Sequence, residues 1–537
     1  MTANRMVKIR IGQNAVSTLL ALQLEKNEVL SNIINIVITI ALLATICTNE
    51  AIARDAIYPS TTNVSCLDVA NFGAVGDGVK MNTTPIQLAV NACPAGGMVW
   101  LHNGTFLSGT IILHSDMTFY IDTNATLLGG GSTSDYPVLT PAADDTQQST
   151  RVLVSAQSCI NVTIAGGGII NGNGGYANYP TNFTGIRPSP ICTELCSNVT
   201  IQNLTITNSP GWNVVNIESD YLTINNININ DAGLCPYRDG FDICDCWHVI
   251  IENCTNISAG DDGIVLKSGC SRGVNDFVAT NCTVTGSAAN GLKLGTTSMG
   301  PITNILFQNC TVMNTKKAAM AVESVDGSDI TDVTFSNINF SGCQNAIFII
   351  LGSRDAGVRP GGIDGISYRN ITGSSLTESY GCPISGTLMT NGVTYSLKNI
   401  LFDNVNINFA GSKSATNSNP PEYAGQYPEN TMWNVSMPGY GYYIRHATNV
   451  CFTNSFTSAA SADARPWIFT EDVSDLHIPL PQLTIMKHVG PMVLHWGNGS
   501  SLQFATNLSG TFHDVFRAPS PYTNTLPNAR VFFRVCP

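Results

Sequence analysis

One short pattern recurs along the middle of the chain. It reads "NVTIQNLTITN" at 198–208, "YLTINNININD" at 221–231, "HVIIENCTNIS" at 248–258, "DFVATNCTVTG" at 276–286, "NILFQNCTVMN" at 304–314 and "DVTFSNINFSG" at 332–342. Each copy is a short alternating strand, a corner carrying asparagine, and a second short strand. From Asp276 to Asp332 the period is 28 residues, and upstream it is slightly shorter. A third strand belongs to each unit: "GIVLKS", "GLKLGT", "MAVESV", "AIFIIL". Three short strands cannot bury an apolar face alone, so successive units must stack and share one core. The pattern therefore predicts an all-β fold, a parallel β-helix solenoid. Asparagine suits the corners, because it tolerates left-handed backbone and can bond to its own main chain in a tight bend. Cys254, Cys282 and Cys310 share one repeat position and are expected to stack as buried thiols rather than disulfides. Looser copies follow at 365–374, 399–409 and 449–458. The 410–440 insert, rich in Pro, Asn, Ser and Tyr, reads as a long loop able to wall one end of a cleft.

Composition fits an all-β chain of many turns: charged residues are only 12% of the 537, whereas helical proteins spend Glu, Lys, Ala and Leu. A formal net charge of −12 excludes nucleic acid as an expected partner. Residues 33–47, "IINIVITIALLATIC", are too short for a membrane span, which needs about 20 residues, and suit a signal h-region. Arg5, Lys8, Arg10 and Lys26 precede it, and "AIA" at 51–53 offers a cleavage site after Ala53. Residues 1–53 are thus expected to be a signal peptide or signal anchor. The product would be secreted, with no stable membrane insertion unless that segment is retained. Of 17 cysteines, Cys47 would leave with the signal, and an even number remains. Sequons recur at Asn63, Asn82, Asn161, Asn198, Asn203, Asn253, Asn281 and Asn309. Many suit plain turn residues, and in a secreted chain some would carry glycans.

Residues 66–93 read as a strand, a Gly-rich turn and a short helix with Ile86, Leu88, Ala89, Val90 and Ala92 as its apolar positions. No GxGxxG or GK[ST] is present, so an amphipathic helix capping the open end of the solenoid is expected rather than a phosphate site. Cys66 and Cys93 flank the segment where a disulfide could close it. From here a resemblance becomes visible. "DVANFGAVGDG", the stretch 96–129, "DGFDICDC" and "GDDGIVLKSG" resemble glycoside hydrolase family 28, the polygalacturonases and related pectin hydrolases. "PGYGYYIRHATNVCFTN" and "RPWIFTEDV" look like its bacterial-type branch. The resemblance implies a right-handed, single-stranded parallel β-helix over 54–475, leaving 476–537 as a C-terminal extension without an assigned role.

Asp239, Asp261 and Asp262 are the residues that carry chemistry. At one coil per 22–28 residues, Asp239 and Asp261 fall one rung apart, and rungs are separated by about 4.8 Å. Three carboxylates should therefore converge on one face, with Asp242 joining them. Glycoside hydrolysis needs one protonated carboxyl group and one ionised one. Crowding supplies both, because mutual repulsion raises one pKa and leaves another low. An isolated Asp-Asp pair would otherwise read as a polar turn. The resemblance implies inversion at the anomeric centre, with Asp261 as general acid and Asp239 and Asp262 holding the water.

The sequence departs from the family nearby. Asn290 stands where a histidine is usual, and on the next rung Met320 and Val322 occupy the places read as an arginine and a lysine that bind a galacturonate carboxylate. Asp242, Lys267, Asn290, Lys293 and Arg354 are the candidate substrate-binding residues. Both lysines alternate with leucines and so should point out of the core. Glu323 is a further candidate for the cleft. The expected function is hydrolysis of α-linked pectic polysaccharide by a secreted monomer, with no cofactor and no metal. Two alternatives stay open: an inactive or weakly active polysaccharide-binding relative, and a calcium-dependent enzyme like pectate lyase.

Overall fold

The computed structural model describes residues 64–478 apart from 140–149, 176, 181–185, 232–236, 355–357, 415–419 and 423–424, together with short backbone strands beyond 478. The expected signal or anchor segment, Cys47 and Asn63 lie outside the described residues. One sheet of 34 strands winds through the rest, each strand pairing in parallel with its equivalent one turn later. Around the aspartates, Phe241–Cys244, Trp247–Glu252 and Asn256–Ala259 are followed by Ile264–Ser268, Val274–Thr280 and Thr283–Ser287. This is the expected parallel β-helix.

Period-2 alternation decides which side chains build the core. Phe241, Ile264, Leu292, Met320 and Ile347 are successive register partners and point inward, each fully buried. The next column, Asp242, Val265, Lys293, Ala321 and Phe348, points outward. Inside, one aromatic per turn stacks on the next: Phe307 on Phe335 at 5.1 Å, Phe335 on Tyr368 at 5.1 Å, Tyr368 on Phe402 at 5.4 Å. The rung spacing sets these distances, and they fall where offset ring pairs are favourable. Cys254, Cys282 and Cys310 are buried free thiols as expected, and Cys343 is a further buried free thiol whose Sγ donates to the Val312 carbonyl.

The corner asparagines do adopt left-handed backbone: Asn203, Asn226, Asn281, Asn309, Asn337 and Asn370 have φ between 52° and 57°. Their side chains behave differently from expectation. Instead of turning back on its own main chain, the amide of Asn226 donates to Asn203 (2.9 Å), Asn337 to Asn309 (3.0 Å), Asn370 to Asn337 (2.9 Å) and Asn404 to Asn370 (2.8 Å). Identical amides one rung apart reach each other, so the corners form a ladder. Asn82 is fully buried and bonds to the Val75 N–H and to the Val75 and Lys80 carbonyls, so its sequon is closed to a glycan in the folded chain.

A helix, Thr83–Ala92, lies near the N-terminal end of the described chain. Ile86, Ala89 and Val90 are buried, whereas Leu88 and Ala92 are exposed, so its apolar face is narrower than the sequence suggested. Cys66 and Cys93 are both free thiols, not a disulfide. At the other end, parts of the 410–440 insert dock on the outward face. Lys317 pairs with Glu429 (2.5 Å), the Arg445 guanidinium donates to the Pro420 carbonyl (2.8 Å), and Trp433 packs edge-on against Phe348. In the C-terminal extension, Ser501–Ala505, His513–Asp514 and Phe532–Cys536 form one antiparallel sheet, and Thr484–Met486, Val493–His495 and Tyr522–Thr523 form another. Among the described residues, no helix is long and apolar enough to cross a membrane.

Candidate active site

Three glycines align the carboxylates. A Cβ on Gly240 would lie 2.3 Å from the Gly263 carbonyl oxygen, and one on Gly263 would lie 2.6 Å from that of Gly291. Only glycine lets the backbone of successive turns pass this closely. The N–H of Gly240 bonds to the Asp262 carbonyl, and that of Gly263 to the Asn290 carbonyl. The residues preceding these glycines, Asp239, Asp262 and Asn290, therefore stack on three successive turns. Asp262 rather than Asp261 is the residue stacked on Asp239. Asp261 sits beside the stack and accepts the Tyr237 N–H at 3.2 Å. Carboxylate oxygens of Asp239, Asp261 and Asp262 lie within 4.8 Å of one another, so the expected convergence is present.

The two lysines are threaded through this cluster. Lys267 bonds to Asp239 (2.7 Å) and Asp242 (2.5 Å), with its ammonium 3.5 Å from the centre of the Trp212 ring. Lys293 bonds to Asp262 (3.0 Å) and Thr296 (2.9 Å) and pairs with Glu323 at 3.3 Å. Asn290 donates both its backbone and its side-chain N–H to one oxygen of Asp262, each at 2.9 Å, and its own oxygen accepts the Ala318 N–H. Arg354 stands apart from the aspartates, held by a two-point pair with Asp326 (2.8 and 2.5 Å).

Electrostatics separate the two adjacent aspartates. Burial, then the charges of Asp239 and Asp262, pushes the Asp261 carboxyl up to about 7. Burial also opposes ionisation of Asp262, but the Lys293 ammonium and the Asn290 hydrogen bonds outweigh it and hold that carboxyl below the usual carboxylate range. Asp242, wholly buried and next to Asp239, is pushed up despite the Lys267 charge. Both lysines are held protonated: burial opposes their charge, and the paired carboxylates more than offset it. Asp261 is part-exposed, while Asp239 and Asp262 are buried. The arrangement can thus present one protonated, reachable carboxyl beside an ionised one.

The reading of the next rung needs correction. Met320 and Val322 are fully buried and point inward, so neither occupies a place where a cation could meet a ligand. The outward positions of that strand are Ala321 and Glu323. A shift of one residue exchanges the two faces of a strand, and the alternation of "AMAVES" does not by itself say which face is which. Glu323, buried and bonded to Thr296, is part of the cluster. Trp212, Thr296 and Tyr427 were not legible as site residues. Tyr427 reaches Thr296 at 3.5 Å from 131 residues away, and only the docked insert brings it there.

Comparison with known proteins places the chain among carbohydrate-active proteins. The family model for Glycosyl hydrolases family 28 matches residues 100–426. The chain is 31% identical over 237 residues to the "Probable polygalacturonase" of Vitis vinifera, a match covering 41% of this chain and 47% of that protein. It therefore spans about half the length of that relative. Two solved folds are similar. One is the family 28 exopolygalacturonase of Yersinia enterocolitica, with TM-score 0.62, 18% identity, and coverage of 77% of this chain and 78% of that one. The other is the exopolygalacturonase of Thermotoga maritima, with TM-score 0.57, 22% identity, and coverage of 65% and 88%.

Proposed function

From the premise that this chain belongs to glycosyl hydrolase family 28, we propose that it hydrolyses α-glycosidic bonds of a pectic polysaccharide with Asp261 as general acid. The observation that carries this reading is the convergence of Asp239, Asp261 and Asp262 within 4.8 Å, with Lys293 and Asn290 bonded to Asp262 and not to Asp261, an arrangement that favours a proton on Asp261 and an ionised Asp262. Asp261 gives its proton to the leaving oxygen as the bond from that oxygen to the anomeric carbon breaks. Asp262, with Asp239, takes a proton from water as the new carbon–oxygen bond forms. Lys293 and Asn290 keep Asp262 ionised, and Lys267 orients Asp239.

Inversion is part of the proposal. Inverting enzymes usually separate their carboxyl groups by about 6.5–9.5 Å. The 4.8 Å bound here refers to the nearest oxygens, so it underestimates the separation of the carboxyl centres. Room for a water must come from the side of Asp261 that faces solvent. Proton NMR of freshly released product, read before mutarotation, would show an inverted anomer, and a retained one would overturn this part.

The chain acts outside the cell, on the reading of 1–53 as a signal, and the polygalacturonase relatives support a cell-wall substrate. The direct test measures reducing ends released from a panel of pectic polymers. Asp261→Asn should lower the rate by about 10²–10⁴-fold. Polymer binding with no release by either protein would leave a binding relative. Chelator-sensitive release of unsaturated, ultraviolet-absorbing product would point to a lyase instead.

A further inference from the structure

On the reading that this cluster hydrolyses a glycoside, we propose that the sugar whose anomeric bond is broken is electrically neutral rather than a uronic acid. The argument starts from charge. Five carboxylates, Asp239, Asp242, Asp261, Asp262 and Glu323, meet two ammonium groups, Lys267 and Lys293. The sum is −3 with every group ionised, and it reaches zero only when three of the five carboxyls hold protons. While Asp239 and Asp262 are both ionised the sum does not rise above zero, so an anionic ring seated over this cluster meets no net positive charge.

Among the described residues the buried cations at the cluster are already committed, whereas Lys316, whose N–H bonds to the Ser287 carbonyl, is exposed to solvent and forms no ion pair. Lys267 is shared between Asp239 and Asp242, and Lys293 between Asp262 and Glu323. Arg354 faces Asp326, and Lys317 faces Glu429. Arg187 is 4% exposed, donates to the Pro180 carbonyl and lies over the Tyr237 ring. Arg238 is fully buried and donates to the Gly174 carbonyl. The undescribed segments between 64 and 478 contain no lysine or arginine, so none of them adds a cation to the site.

Glu323 sharpens the point. It lies on the next rung, two residues after Ala321, the register partner of Lys293, and from that outward position it neutralises Lys293 where a basic residue would serve an anionic sugar. Ala321, the other outward position of that strand, carries no polar group. A neutral hexose or deoxyhexose offers hydroxyl groups that such a carboxylate-rich surface can accept from, with no charge to repel.

The experiment uses the full chain and three polymers: polygalacturonan, the same polymer after chemical reduction of its carboxyl groups, and an alternating rhamnose–galacturonate polymer. The sugar at each new reducing end is labelled by borodeuteride and identified. Neutral reducing ends are expected in about tenfold or greater excess over uronic ones. Uronic ends released from polygalacturonan as fast as neutral ends from the other two would overturn the inference while leaving hydrolysis intact. No new ends from any polymer would overturn the hydrolytic reading itself. Glu323→Gln keeps the shape and the bond to Thr296, and it should raise uronic-end release relative to neutral-end release severalfold. A purely structural role would lower both together, and an unchanged ratio would remove Glu323 from specificity.

Discussion

At the scale of single residues, the site is an exercise in separating two neighbours that are chemically identical. Asp261 and Asp262 differ only in what surrounds them. One is crowded by two carboxylates, and the other is held by an ammonium and two N–H donors. The pH dependence of hydrolysis follows with a definite sign. Activity needs Asp261 protonated, so the rate should fall as pH rises through about 7. It also needs Asp262 ionised, so the acidic limb should lie below the ordinary carboxylate range. Lys293→Met removes the charge that holds Asp262 down. The acidic limb of the pH–rate profile should then move to higher pH. The protein should lose about 3 kcal/mol or more of stability in denaturant titration, because Asp262 and Glu323 are left buried without a counter-charge. An unmoved acidic limb would show that Lys293 does not tune Asp262.

At the scale of elements, the corners and the glycine stack carry the weight. Asn337 holds φ 54°, donates to Asn309 and accepts from Asn370. Asn337→Ala should cost about 1–3 kcal/mol, from strain in left-handed backbone and two lost ladder bonds, and should lower the melting temperature. Asn337→Gly removes the strain but not the lost bonds, and should recover part of the difference. Gly263→Ala drives a methyl group to 2.6 Å from the Gly291 oxygen. It should displace Asp262, lowering kcat far more than the small change in side-chain volume suggests. The strands themselves were legible, because the alternation that marks them is local. What the corner amides would bond to was not legible, since the partner is a whole turn away in sequence.

At the scale of the whole molecule, the insert after the last central repeats matters most. Its Glu422 meets both Arg445 (3.1 Å) and His446 (2.9 Å), and His446 also bonds to Asp472 at 2.7 Å. Burial and the Arg445 charge disfavour the imidazolium, but the bonds to Glu422 and Asp472 outweigh them and raise its pKa above the ordinary 6.5. A raised value means stabilisation that is fully present below about 6.5 and is lost as pH rises through the folded value. Melting temperature should therefore fall on going from pH 6 to pH 9 by more in the wild type than in His446→Gln. Hydrogen exchange at described insert residues such as Trp433 should speed up over the same range. Equal pH dependence in the two proteins would exclude this latch.

The repeat, the inward and outward alternation, the family and the convergence of Asp239, Asp261 and Asp262 all follow from the sequence, because stacking at a fixed period turns spacing along the chain into position on a face. The period does not say which of two adjacent residues stacks on the turn below. It also leaves open whether Met320 or Ala321 faces outward, or where an ammonium on a flexible stem comes to rest. The tertiary structure settled these points: Asp262 stacks on Asp239, Glu323 takes the outward place and binds Lys293, and Tyr427 arrives from a distant insert. Spacing is additive along a solenoid, whereas pairing among buried charges depends on every neighbour at once.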